Sequence, residues 1–197
     1  MAKSRVRRQS SGSGGSTRTY LIVGACIVLF VAGFIALAVV DARQQSASGA
    51  PDDVKTYDVG PAGRHTEGDV DYEQSPPVGG PHNPVWQNCG FYDKPVRDEN
   101  AVHSLEHGAV WITYSPDLPQ DQVNELKDIA QSKSYILVSP YPDLPDNVPV
   151  VASAWGKQVY LDGANDPDLD SFIRAYRLGP QTPEPGAVCT GGTSATQ

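Results

Sequence analysis

Four histidines, His65, His82, His103 and His107, fall within 43 residues of a 197-residue chain. Two of them belong to Asp98-Glu99-Asn100-Ala101-Val102-His103-Ser104-Leu105-Glu106-His107-Gly108. A helix over this stretch, ended by Gly108, would bring Glu99, His103, Glu106 and His107 into an arc of roughly 100°, with Val102 and Leu105 facing elsewhere. Neutral imidazole nitrogen and carboxylate oxygen at that spacing are ligands that Zn²⁺ or Cu(II) accepts. The pattern predicts a divalent-metal site of His82, His103 and His107, with Glu106 as fourth ligand or as hydrogen-bonded support. His82 would come from the Gly79-Gly80-Pro81 loop, and whether His65 joins is left open. The single Met is the initiator, so no thioether is at hand for a Cu(I) site.

The same residues carry two other readings. His103-Ser104-Leu105-Glu106-His107 matches the H-x-x-E-H order of a zinc hydrolase, in which Glu106 would be the general base. Its third ligand would have to be a downstream glutamate, and Glu125 and Glu184 are in no recognisable helical motif. Alternatively, histidines beside Val102, Leu105 and Trp111 are packed core residues. The exported part would then be a protein-interaction module for another envelope protein. Asp162, Asp166, Asp168 and Asp170 lack the spacing of a Ca²⁺ loop and read as charge at a helix N-terminus.

These side chains need elements to hold them. Residues 54–101 are dense in turn formers such as Gly60-Pro61, Ser75-Pro76-Pro77 and Asn83-Pro84, which predicts an irregular wrap with one or two short strands. Residues 109–114, 135–139 and 148–155 are β-rich, and 158–161 form a hairpin partner. Residues 120–133 carry apolar side chains at helical spacing, and Asp166-Pro167 opens a second helix with Arg174 and Arg177 near its end. The order β-α-β-β-β-α predicts a small α+β domain over residues 54–189, with 190–197 as a frayed C-terminus. The aromatic residues Tyr72, Trp86, Phe91, Tyr92, Trp111 and Trp155 read as core.

Residues 21–40 hold twenty positions without a charge, enough at 1.5 Å per residue to cross a bilayer core of about 30 Å. The run is longer than a secretory h-region, so a retained transmembrane helix over 20–40 is expected. Five of the 15 basic residues precede it and all 23 acidic residues follow it, giving a tail of +5 and a remainder of −13. By the positive-inside rule the N-terminus is cytoplasmic and the C-terminal domain extracytoplasmic, in the cell membrane as a single-pass protein. Residues 1–19 read as a disordered basic tail and 41–53 as a flexible tether. The acidic remainder makes nucleic acid an unsuitable partner.

Cys26 falls in the apolar run, which leaves Cys89 and Cys189 outside the membrane. In an oxidising compartment they are expected to form a disulfide. The alternative is Cys89 as a thiolate ligand near His82.

Five words in this order, Ser75-Pro76-Pro77 through His82, Val102 through Val110, Val138-Ser139-Pro140-Tyr141-Pro142, Ala154-Trp155-Gly156 and Gly179-Pro180 through Pro185, resemble the bacterial family called domain of unknown function 3105 (DUF3105). The resemblance implies a single-pass, mostly actinobacterial membrane protein with its domain outside. It marks His82, His103, Glu106 and His107 as motif positions without naming a role. The combined reading is a non-enzymatic metal-binding accessory protein of the envelope.

Overall fold

The computed structural model describes residues 20–23, 26–30 and 49–197. The chain divides into two compact units, 1–42 and 43–197. In the first, residues 20–23 and 26–30 are helical. Most of the expected membrane segment and tether, and all of the basic tail, lie outside the described residues. Among the described residues no helix is long and apolar enough to cross a membrane.

The second unit is α+β. In chain order its elements are β1 (Lys55–Thr56), β2 (Gly90–Phe91), α1 (Asp98–Glu106), β3 (Val110–Tyr114), α2 (Gln120–Ser132), β4 (Ile136–Pro140), β5 (Val150–Ala154), β6 (Lys157–Leu161) and α3 (Pro167–Tyr176). The expected β-α-β-β-β-α order therefore runs from β3 to α3, and the proline-rich half contributes two strands of two residues each. The six strands form one mixed sheet in the order β1-β6-β5-β3-β4-β2. β4 is parallel to β2 and β3, while β3 to β5, β5 to β6 and β6 to β1 are antiparallel. Helix α2 provides the crossover that the parallel β3–β4 pair needs.

Both faces of the sheet are covered, which is why β3, β4 and β5 are buried at every position. Val110, Ile112, Ile136, Val138, Val150 and Ala152 pack against Val123 and Leu126 of α2 and Leu169, Phe172 and Ile173 of α3. On the other face Trp111 and Leu137 meet Ala101, Val102 and Leu105 of α1, together with Trp155. Trp111 donates its indole N–H to Ser139 Oγ at 3.0 Å, so the largest side chain of this layer is satisfied as it is buried.

Helix α1 is enclosed on all sides, with every residue from Glu99 to Glu106 buried. Its apolar face rests on the sheet, and its polar face is roofed by the proline-rich wrap. Gly108 ends it in a left-handed conformation (φ +100°). A Cβ there would lie 2.9 Å from Leu178 Cδ2 and 3.2 Å from Leu178 Cα. Gly108→Ala should therefore lower stability by roughly 1–3 kcal/mol, combining left-handed backbone strain with the clash. Urea denaturation checks this, and an unchanged midpoint would contradict it.

Cys89 and Cys189 are disulfide-bonded, 100 residues apart. This removes Cys89 from any ligand set. The expectation that 190–197 frays is corrected. Thr193 donates to Trp86 O at 2.9 Å and accepts from Asn88 N at 2.8 Å, and Gln197 N bonds Pro95 O at 2.8 Å. Together with the residues from Glu184 onward, whose N donates to Glu106 O at 3.2 Å, the segment forms a strap (184–197) that the disulfide delivers to a row of open carbonyls and amides on the wrap. Asp166 caps α3, accepting from Asp168 N at 3.0 Å and from Asp162 N at 3.0 Å, while Asp168 and Asp170 lie in the first turn, where the helix dipole favours negative charge.

Candidate metal centre

Two elements assemble the site. Helix α1 supplies His103 and Glu106 from adjacent turns, three residues apart on one face. The wrap supplies His65 and His82 side by side in an isolated parallel bridge, in which Thr66 N donates to His82 O at 2.7 Å and His82 N to Arg64 O at 3.0 Å. One ligand atom from each of His65, His82, His103 and Glu106 lies within 4.8 Å of the others. Ligands bonded at about 2 Å to one ion are at most about 4 Å apart, so binding requires an inward movement of under about 1 Å. His65, exposed on its loop, is the member free to make it.

The hydrogen bonds fix which nitrogens are available. Nδ1 of His82 lies 2.8 Å from Gly80 O and Nδ1 of His103 2.7 Å from Asn83 O. A carbonyl only accepts, so each Nδ1 carries a proton and Nε2 is the nitrogen left to ligate. A backbone carbonyl on the remote nitrogen is the usual way a ligating imidazole is held. His82 Nε2 lies 2.9 Å from Glu106 Oε2, both side chains being fully buried. Neither atom has a hydrogen-bond donor facing it. Two electron pairs this close inside a protein require a cation between them, either a proton or a metal ion. The other carboxylate oxygen of Glu106 accepts from Gly63 N at 2.6 Å, which ties the His65 loop to α1.

Burial holds the His103 imidazole well below its usual range, at about 4, aided by the neighbouring His107, His82 and His65 and opposed by the Asn83 carbonyl. The ring is therefore neutral at pH 7, the form that ligates metal. Asp98, the half-buried first residue of α1, is displaced in the opposite direction. Burial first, then Glu99 and Asp143, push its carboxyl up to about 6 against the Tyr141 hydrogen bond. A raised folded pKa makes the ionised carboxylate a penalty at pH 7, one that fades as pH falls below about 6 and is gone near the unfolded value of about 4. Asp98→Asn should thus be more stable than wild type at pH 7, on the order of 1 kcal/mol after discounting for partial exposure and the favourable helix N-terminus. The advantage should vanish by about pH 4 in paired denaturation curves, and an advantage that grew with acid would contradict this.

Of the residues expected in the site, His82, His103 and Glu106 come together. His107 is not among the four convergent residues. Its ring is 4.6 Å from that of His103, with Nδ1 2.7 Å from Val188 O. As the C-cap residue of α1 it is drawn towards the C-terminal strap. Glu99, which shares the helical arc, instead accepts from Val70 N at 2.8 Å and pairs with Arg97 at 2.8 Å. His65 is the member that the chain's spacing left undecided, and no local periodicity marks it.

The family described as protein of unknown function DUF3105 matches residues 64–191, which contain all four convergent residues, His65, His82, His103 and Glu106. The chain belongs to the DUF3105 family. No curated protein and no solved structure matches it. In this DUF3105 chain the disulfide, the roofed helix and the histidine cluster all fall inside the matched region.

Proposed function

We propose that this DUF3105 chain is a single-pass envelope protein whose extracytoplasmic domain binds one divalent ion, Zn²⁺ or Cu²⁺, through His65, His82, His103 and Glu106. The observation that carries the reading is the sealed pair of His82 Nε2 and Glu106 Oε2, 2.9 Å apart with no other polar group at either atom. His103 adds a neutral ring beside it and His65 closes the set from the solvent side. The uncharged run at 21–40 and the basic residues ahead of it support the anchor and its orientation. The disulfide is in keeping with a domain outside the cytoplasm.

Hydrolysis at an H-x-x-E-H centre would need His103 and His107 together on the ion, with Glu106 beside it. The convergent set contains Glu106 and omits His107. Glu106 is also fully enclosed and fastened to Gly63 N, the setting of a ligand rather than of a base that must reach water. The reading favoured here is accordingly binding without catalysis.

Ligand that binds only the folded state stabilises it. For the full-length chain in detergent, stripped with chelator, free Zn²⁺ or Cu²⁺ at about 100 times Kd should add about 2.7 kcal/mol. At about 2–4 °C per kcal/mol for a domain of this size, Tm should rise by roughly 5–10 °C, and chelator should reverse it. A Tm indifferent to both ions would count against the proposal.

A further inference from the structure

His107 remains outside the convergent set, yet it is prepared as a ligand in the same manner as its members. Its Nδ1 is committed to Val188 O at 2.7 Å, so its Nε2 presents a lone pair. That nitrogen faces Glu184 Oε2 at 3.7 Å. The separation is too long for a hydrogen bond, but two ligand atoms on one ion with bonds near 2 Å are about 3.3–3.7 Å apart. The Glu184 side chain is 50% exposed while that of His107 is 5% exposed, so the pair leads from solvent inward. Glu184 N donates to Glu106 O at 3.2 Å, which fastens this part of the strap to the residue that supplies the inner carboxylate.

We propose that His107 and Glu184 form an outer metal position through which the ion passes to the inner cluster, with His103 as the ligand shared between the two. The proposal rests on the inner-site reading. The His103 ring is 4.6 Å from that of His107 and 4.8 Å from that of His82. With Nδ1 held by Asn83 O, it has a single Nε2 to offer and serves one ion at a time. Transfer is then a ligand exchange at His103: the ion gives up Glu184 and His107 as it gains His82, His65 and Glu106, and the proton held between His82 and Glu106 is released to water. The carboxylate and the imidazole left behind return to water and to the next ion, and no oxidation state changes. Trp86 covers the step, its ring 5.1 Å from that of His107 and 5.7 Å from that of His103.

That placement makes Trp86 an optical reporter, because bound Cu²⁺ quenches indole emission at short range. Chelator-stripped full-length chain in detergent is mixed with Cu²⁺ in a stopped-flow fluorimeter, and bound copper at saturation is counted by elemental mass spectrometry. Wild type should show a fast quench followed by a slower one, ending at one Cu²⁺ per chain. Glu184→Gln and His107→Gln should lose the fast phase and load roughly tenfold more slowly, as expected when a supporting ligand is removed, while still ending at one Cu²⁺. Glu184 is half exposed, so Glu184→Gln tests the proposal without disturbing the fold, and an unchanged Tm verifies this. Wild-type loading rates in both variants would overturn the outer position and direct entry past His65, leaving the inner site intact. Two Cu²⁺ per wild-type chain would overturn the shared ligand. A wild-type chain that takes up no Cu²⁺ would overturn both the outer and the inner site.

Discussion

Glu106→Ala should lower the stability of the folded domain by about 3–5 kcal/mol, the usual cost of removing one partner from a buried ionic pair. The variant leaves His82 Nε2 sealed without a counterpart and strips Gly63 N of its acceptor. Against a total stability of about 5–15 kcal/mol, that loss is large. Glu106→Gln should behave differently. The carboxamide oxygen can still accept from Gly63 N, and its NH₂ group can donate to the His82 lone pair, so the fold should survive with a loss of about 1 kcal/mol. A neutral amide is a poor ligand, however, and metal binding should be lost. The two variants together separate a structural from a ligating role, using urea denaturation for the first and bound metal for the second. A Glu106→Gln chain that kept its ion would remove Glu106 from the coordination sphere. A Glu106→Ala chain as stable as wild type would show that the buried pair carries no energy.

Replacing Cys89 and Cys189 together by Ala should cost about 4–5 kcal/mol, the entropic value for a closed loop of about 100 residues. The bridge joins the start of β2 to the strap, and Cys89 N also donates to Cys189 O at 2.8 Å. Without it the strap that holds His107 through Val188 O and lines Trp86 is tied only by hydrogen bonds. Denaturation of the double variant beside wild type measures the loss. A difference under about 1 kcal/mol would mean that the unfolded chain is already restrained without the bridge, and that the disulfide adds no more than local packing.

Periodicity revealed the regular half of this protein. Residues 110–114, 136–140, 150–154 and 157–161 are strands where β-rich runs predict them, and both later helices carry their apolar residues at helical spacing. Helix geometry also joins His103 to Glu106, because positions three apart on a helix share a face whatever else the fold does. It failed for Glu99 and His107, whose side chains were claimed by Val70 and Arg97 on one side and by Val188 on the other. Those partners are distant in sequence and belong to segments without periodicity. His65 is the same case in reverse. Its neighbourhood with His82 comes from the turns between Gly60 and Pro81, where proline and glycine geometry, rather than hydrophobic pattern, sets the path. The C-terminal strap likewise looks like a polar tail until the disulfide and Trp86 O give it somewhere to bind.

The most direct measurement is bound metal on the full-length chain, purified in detergent without chelator or affinity tag and analysed by elemental mass spectrometry beside Glu106→Gln. The wild type should carry close to one Zn or Cu per chain and the variant none. A wild-type chain that is folded, disulfide-bonded and free of metal, and that takes up neither ion when offered, would contradict it. The proton between His82 and Glu106 would then be the whole purpose of the cluster.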